Sequence, residues 1–163
     1  ASRRGVTVAD YAQTGSLETL MAIMDYHGGL PDEQTARSIL RLRYYLEAPA
    51  LRDLAASHTA ADLDTLRALQ RQAEEAPDTA ALAQALFRYH RGVTFLSGNT
   101  ITPLLFNAFM QVNLEFWSGY IRSVGREESL RTLARFTDLI AAGQGDRAAQ
   151  LLDDGLRRFV TTL

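Results

Sequence analysis

Apolar residues recur along this chain at the spacing of helices, not strands. Ile39, Leu40, Leu42, Tyr45 and Leu46 fit one face of a helix that opens near Asp32 and Glu33 and runs to about Ser57. The acids suit the positive end of that helix, and Pro49 predicts a kink or a division in two. Upstream, Ser16 as N-cap with Glu18 in the first turn predicts a helix over 17–26. His27-Gly28-Gly29-Leu30-Pro31 predicts the break after it. Thr59 followed by Asp62 opens a third segment that ends near Ala76-Pro77. Asp78 caps a helix through Leu82, Leu86, Tyr89, Val93 and Leu96, which Ser97-Gly98-Asn99-Thr100 stops.

The stretch from Ile101 to Val124 reads as one long helix with two apolar stripes. Ile101, Leu104, Leu105, Ala108, Val112 and Phe116 make the first; Phe106, Phe109, Met110, Trp117 and Tyr120 make the second. A helix apolar on most sides is either central to the core or turns one stripe to a cavity or a partner. Gly125 ends it, a helix follows over 126–142, and Gly143-Gln144-Gly145 closes that one. Asp146 is expected to cap the last helix. Gly5-Val6-Thr7-Val8 is the single β-like stretch. The pattern predicts an all-α fold, an antiparallel bundle of about six to seven helices.

Composition narrows the classes. A chain of 163 residues buries one core and is short for two. It has no cysteine, so disulfides, thiolate metal sites and a cysteine nucleophile are excluded. No apolar run reaches membrane-span length and no leader is visible, so a cytoplasmic location is expected, with no membrane partner. The net charge of -2 is not that of a nucleic-acid-binding surface. Every basic residue is arginine, which fits codon bias, or else buried positions chosen to grip carboxylate or phosphate. The chain begins Ala1-Ser2 instead of with methionine, the expectation for a fragment.

Several blocks, in order, resemble a known family. Phe87-Arg88-Tyr89-His90-Arg91-Gly92-Val93-Thr94-Phe95-Leu96-Ser97-Gly98-Asn99 places an aromatic-His pair and Ser-Gly-Asn between two long helices. Arg43-Tyr44-Tyr45-Leu46-Glu47 precedes it, with Leu54-Ala55-Ala56 behind, and Gly145-Asp146-Arg147 opens the last helix. Together they resemble the FCD domain of bacterial GntR-type transcription regulators, closest to the metal-free FadR branch. Arg4-Gly5-Val6-Thr7-Val8 looks like the last strand of a winged-helix wing. The resemblance therefore implies two parts: residues 1–12 as the end of the wing and linker, and 13–163 as the effector-binding and dimerisation domain.

In that family a winged helix binds operator DNA and the FCD domain binds a small carboxylic acid or acyl thioester. Many members hold a divalent metal through one Asp and three His. Here His90 matches the first histidine, but the aspartate position is Leu86 and the later histidines fall at Arg135 and Arg157. One imidazole beside two guanidinium cations makes no divalent site, so no metal and no cofactor are expected. The two arginines would replace the metal's charge and bind an anion directly, or else point to solvent and pair with acids such as Asp138, Asp153 or Asp154.

The resemblance thus implies a ligand site of Arg43, His90, Asn107, Tyr120, Arg135 and Arg157, with no catalytic residue. Each has a plainer reading. Arg43 and Glu47 make an i,i+4 surface pair, His90 is a hydrogen-bonded core residue, Asn107 and Asn113 bond between helices, and Tyr120 and Trp117 pack in the core. The implied function is a ligand-sensing homodimer that responds to a small anionic metabolite, an organic acid or acyl-CoA. It would control DNA binding by a winged helix outside this chain. The alternatives are a small metal-free helical enzyme, for which no activated nucleophile or acid-base pair is visible, and a dimerisation scaffold without ligand.

Overall fold

The computed structural model describes residues 11–26 and 32–160. Among these every regular element is a helix: α1 (Tyr11–Thr14), α2 (Leu17–Tyr26), α3 (Glu33–Ser57), α4 (Ala60–Glu74), α5 (Thr79–Leu96), α6 (Thr102–Ala108), α7 (Met110–Val124), α8 (Arg126–Ala141) and α9 (Gly145–Val160). The β-like stretch at Gly5–Val8 and residues 1–10 of the expected wing and linker lie outside the described residues. Consecutive helices α4 and α5, α7 and α8, and α8 and α9 pack on one another through short turns. Helix α9 closes the bundle by lying along α3, and α5 packs against α3, α4, α6 and α7.

Local chemistry sets the helix ends. Asp32 accepts from the Thr35 N–H, Asp78 accepts from the Ala81 N–H, and Thr59 and Asp62 form a reciprocal capping box. Helix α3 is continuous through Pro49, whose exposed ring costs one backbone hydrogen bond without dividing the helix. Gly125 sits at φ +86° between α7 and α8, a left-handed conformation that side chains disfavour.

Two sequence expectations change. The long helix over 101–124 is two helices, because Phe109 leaves helical geometry at φ -97°, ψ 19°. The backbone bonds from the Phe109 N–H to the Leu105 carbonyl and from the Asn113 N–H to the Phe109 carbonyl continue across it, so the chain bends without coming apart. The stretch is also not buried all round. Phe106, Phe109, Val112, Phe116, Trp117 and Ile121 point inward, whereas Ile101, Leu104 and Met110 are exposed. Asp146 does not cap the last helix, which already begins at Gly145. Its carboxylate instead accepts from Arg52 Nε at 2.7 Å, tying α9 to α3.

The core is one main cluster around Leu51, Leu54, Leu66, Leu82, Leu86, Tyr89, Val93, Leu133, Phe136 and Ile140. A smaller cluster of Ala36, Ile39, Leu40, Val112 and Phe116 joins α3 to α7. Helix α9 comes close to α3 at Gly145, where a Cβ would lie 2.6 Å from Arg52 Cα and 3.2 Å from Ala55 Cβ. Both are held by helix backbone, so neither yields easily. Gly145→Ala should therefore lower stability by about 1–3 kcal/mol. Urea unfolding would show this as a lower midpoint at unchanged slope.

Candidate functional site

Helix α3 carries two charged residues on its inward face. Leu40, Arg43, Glu47, Leu51 and Leu54 follow one another at intervals of three and four, so Arg43 and Glu47 stand on the apolar stripe. Both are buried, at 5% and 0% exposure, which corrects the reading of a surface pair. Arg43 Nε donates to Glu47 Oε2 at 3.1 Å. The second carboxylate oxygen, Oε1, is bonded to Nδ1 of His90, which is 1% exposed on α5. With Glu47 ionised, His90 carries its proton on Nδ1 and donates it.

Helix α7 completes the cluster. The Trp117 indole stacks on the His90 ring at 4.7 Å, and the Arg43 guanidinium lies 4.3 Å from the Trp117 ring centroid. Phe136 of α8 meets the imidazole edge-on at 5.2 Å. Beside this, the Tyr89 hydroxyl and Thr137 share a buried hydrogen bond of 2.9 Å. Burial raises the phenol's pKa well above the ordinary tyrosine value.

Arg43, His90, Trp117 and Phe136 wall one side of a small cavity of about 40 Å³. Leu40 and Arg43 come from α3, Leu86 and His90 from α5, Phe116, Trp117 and Tyr120 from α7. Ser129, Thr132, Leu133 and Phe136 come from α8, and Leu151, Leu152, Gly155 and Leu156 from α9. The lining is mostly apolar, with Arg43 and His90 as its basic groups.

Of the six residues expected to form a site, the structure brings Arg43, His90 and Tyr120 together on this cavity. Asn107, Arg135 and Arg157 are exposed and do not line it. The expectation that two further arginines face the cavity is thereby corrected. On α8 the inward positions are 129, 132, 133 and 136, and on α9 they are 151, 152, 155 and 156. Arg135 and Arg157 fall off those faces, each two positions beyond the inward Leu133 and Gly155. Arg157, 77% exposed, pairs with Asp153 of its own helix at 2.7 Å.

The donor set does not fit a divalent metal. Around the cavity the ligand-type side chains are His90, whose Nδ1 is engaged by Glu47, and Glu47 itself, whose oxygens are shared between His90 and Arg43. The facing wall offers Leu86, Leu133 and Gly155, and a guanidinium stands beside the imidazole. Among the described residues no group of three or more metal-ligating side chains comes together.

Sequence reasoning missed Glu47 as part of the site, and it weighed Trp117 as the wall of a ring subsite against core packing. The signal for Glu47 was present: an acid on the same three-four stripe as Leu40, Leu51 and Leu54 is buried with them and needs a partner. For Trp117 the residue type alone could not choose between the two, since an indole on an apolar face suits both.

The helical bundle and the basic, apolar-walled cavity define a ligand-binding domain built from helices alone. The FCD domain model matches residues 38–158, and the chain belongs to that family, the effector-binding domain of GntR-type transcription regulators. FCD domains are regulatory ligand-binding domains. Among curated proteins none matches this chain.

The buried cluster makes stability depend on pH. Burial lowers the His90 pKa below its ordinary 6.5, outweighing the opposing pull of Glu47. For Glu47, burial acts to raise the pKa, but His90 and Arg43 together hold it below 4.5. In both cases the unfolded chain takes up a proton before the folded one does, so acid favours unfolding. The stabilisation from His90 should be complete above pH 6.5 and be lost as pH falls below it; that from Glu47 should be lost as pH falls below 4.5. Urea midpoints from pH 8 to pH 4 test this. The fall between pH 6.5 and 5 should flatten in His90→Gln.

Proposed function

We propose that this domain senses a small organic acid with an apolar body, whose carboxylate sits against Arg43 beside His90. The observation that carries this reading is Arg43 itself. Its Nε is bonded to Glu47, but its buried Nη2 has no hydrogen-bond partner, on the wall of a cavity otherwise suited to hydrocarbon. A buried donor without a partner is costly, and a carboxylate supplies the strongest acceptor for a guanidinium. Leucine, phenylalanine and tryptophan walls favour an aliphatic or aromatic acid over a sugar acid, and the cavity's size favours a free acid over an acyl-CoA.

Ligand at a hundred times its dissociation constant should stabilise the fold by about 2.7 kcal/mol. For a domain of this size that is a melting shift of roughly 5–10 °C. A thermal-shift screen of monocarboxylates is the test. Arg43→Met should abolish the shift, whereas Arg135→Met and Arg157→Met should leave it intact, because both arginines lie outside the cavity. No shift with any acid, or a shift indifferent to Arg43→Met, would sink the proposal.

The regulator as a whole is proposed to be a cytoplasmic homodimer that binds operator DNA through a winged helix. A two-fold protein matches an operator of two half-sites. Phe95, Ile101 and Leu104 leave apolar surface exposed around the α5–α6 turn, as a self-associating domain would. Light scattering should give the dimer mass at micromolar concentration; a monomer would refute this part.

A further inference from the structure

Helix α9 carries a glycine in its interior, at position 155. Glycine weakens a helix relative to alanine, so a helical glycine needs a reason. The usual structural reasons are missing here. Gly155 is not one of the described glycines with a positive φ, which are Gly98, Gly125 and Gly143. Nor does a neighbouring helix press against it. A Cβ at Gly155 would meet no atom within 4 Å, whereas one at Gly145 would lie 2.6 Å from Arg52 Cα and one at Gly92 2.7 Å from Leu69 Cδ1. The buried Ala148 and Leu152 precede position 155 by seven and three residues, so a Cβ there points to the inward side of α9. Gly155 lines the cavity of Arg43 and His90, together with Leu151, Leu152 and Leu156 of its own helix. The open space at Gly155 is therefore part of that cavity.

We infer that Gly155 is a specificity-determining residue of the ligand site. By leaving out a side chain it keeps room for the apolar body of the acid, and it sets the bulk that fits. This rests on the carboxylate reading given above. The cavity is small, about 40 Å³, so a single methyl group at position 155 removes a substantial share of it. The other walls do not give way to make up the loss: Leu86, Leu133 and Leu152 are 1%, 1% and 3% exposed and are packed into the main core. A pocket with such walls discriminates by bulk, because one methylene too many must displace packed atoms. Arg43 and Gly155 thus have separate roles. Arg43 meets the carboxylate, which all the acids share, and Gly155 faces the part in which they differ.

The test is a thermal-shift titration of the whole chain with acetate, isobutyrate, pivalate and benzoate, which share a carboxylate and increase in bulk. Without ligand, Gly155→Ala should raise the melting temperature by about 2–4 °C, because the helix gains and no atom is displaced. The same variant should bind the bulkiest acid that the unsubstituted chain accepts about tenfold or more weakly, and smaller acids with less loss. Gly155→Leu fills the space and should abolish the shift with every acid. If that variant does not fold, Gly155→Ala carries the test. Arg43→Met, by contrast, should weaken all the acids alike. Three results would overturn the inference and leave the carboxylate reading intact. One is a lower melting temperature in Gly155→Ala, which would make the glycine a packing requirement. Another is an equal loss for every acid in that variant. The third is acid binding unchanged in each variant that folds. No shift with any acid in the unsubstituted chain would remove the carboxylate reading, and this inference with it.

Discussion

The bundle is organised around a carboxylate that cannot be left alone. Glu47 is wholly buried in an apolar interior, where an unpaired charge is far more costly than any single packing defect. Its two oxygens are shared between Arg43, one helical turn back, and His90, on a different helix. The His90 bond fixes how α5 lies against α3. The Trp117 face, stacked on the imidazole and beneath the guanidinium, then fixes α7 against both. Three helices thus owe their mutual placement to one buried acid. Such a cluster adds little net stability over an apolar core of the same volume; what it does is specify one arrangement, since every other one strands a charge.

The same economy makes the cluster suited to binding. Glu47 neutralises Arg43 but engages only Nε, which leaves N–H groups of the guanidinium directed elsewhere. Around them the lining is mostly apolar. The cavity is therefore an apolar chamber with a polar floor, and the floor is held rigid by the bonds that hold the bundle together. The cavity that Arg43 lines is also walled by residues of α5, α7, α8 and α9.

The bend at Phe109 belongs to the same account. At the bend the Phe109 carbonyl accepts twice from Asn113, from its backbone N–H at 3.0 Å and from Nδ2 at 2.9 Å, which holds α6 and α7 in register.

Much of this was legible in the sequence. Period-3.6 patterning and the caps at Asp32, Thr59 and Asp78 are local properties, decided within a few residues, and they gave the helices and most of their ends. The order of motifs from Arg43 to Asp146 gave the family, now matched over residues 38–158. His90, Arg43 and Tyr120 line one cavity because each lies on the inward stripe of its helix. Arg135 and Arg157 lie off those stripes and are exposed, and residue type does not reveal that shift. The bend at Phe109 and the close approach at Gly145 were hidden for a related reason: they depend on what lies across the interface. The sequence by itself determined which segments are helical and which face of each is apolar. Only the tertiary structure decided which charges share the interior, because a buried charge is placed by partners on other helices, and those partners are far apart along the chain.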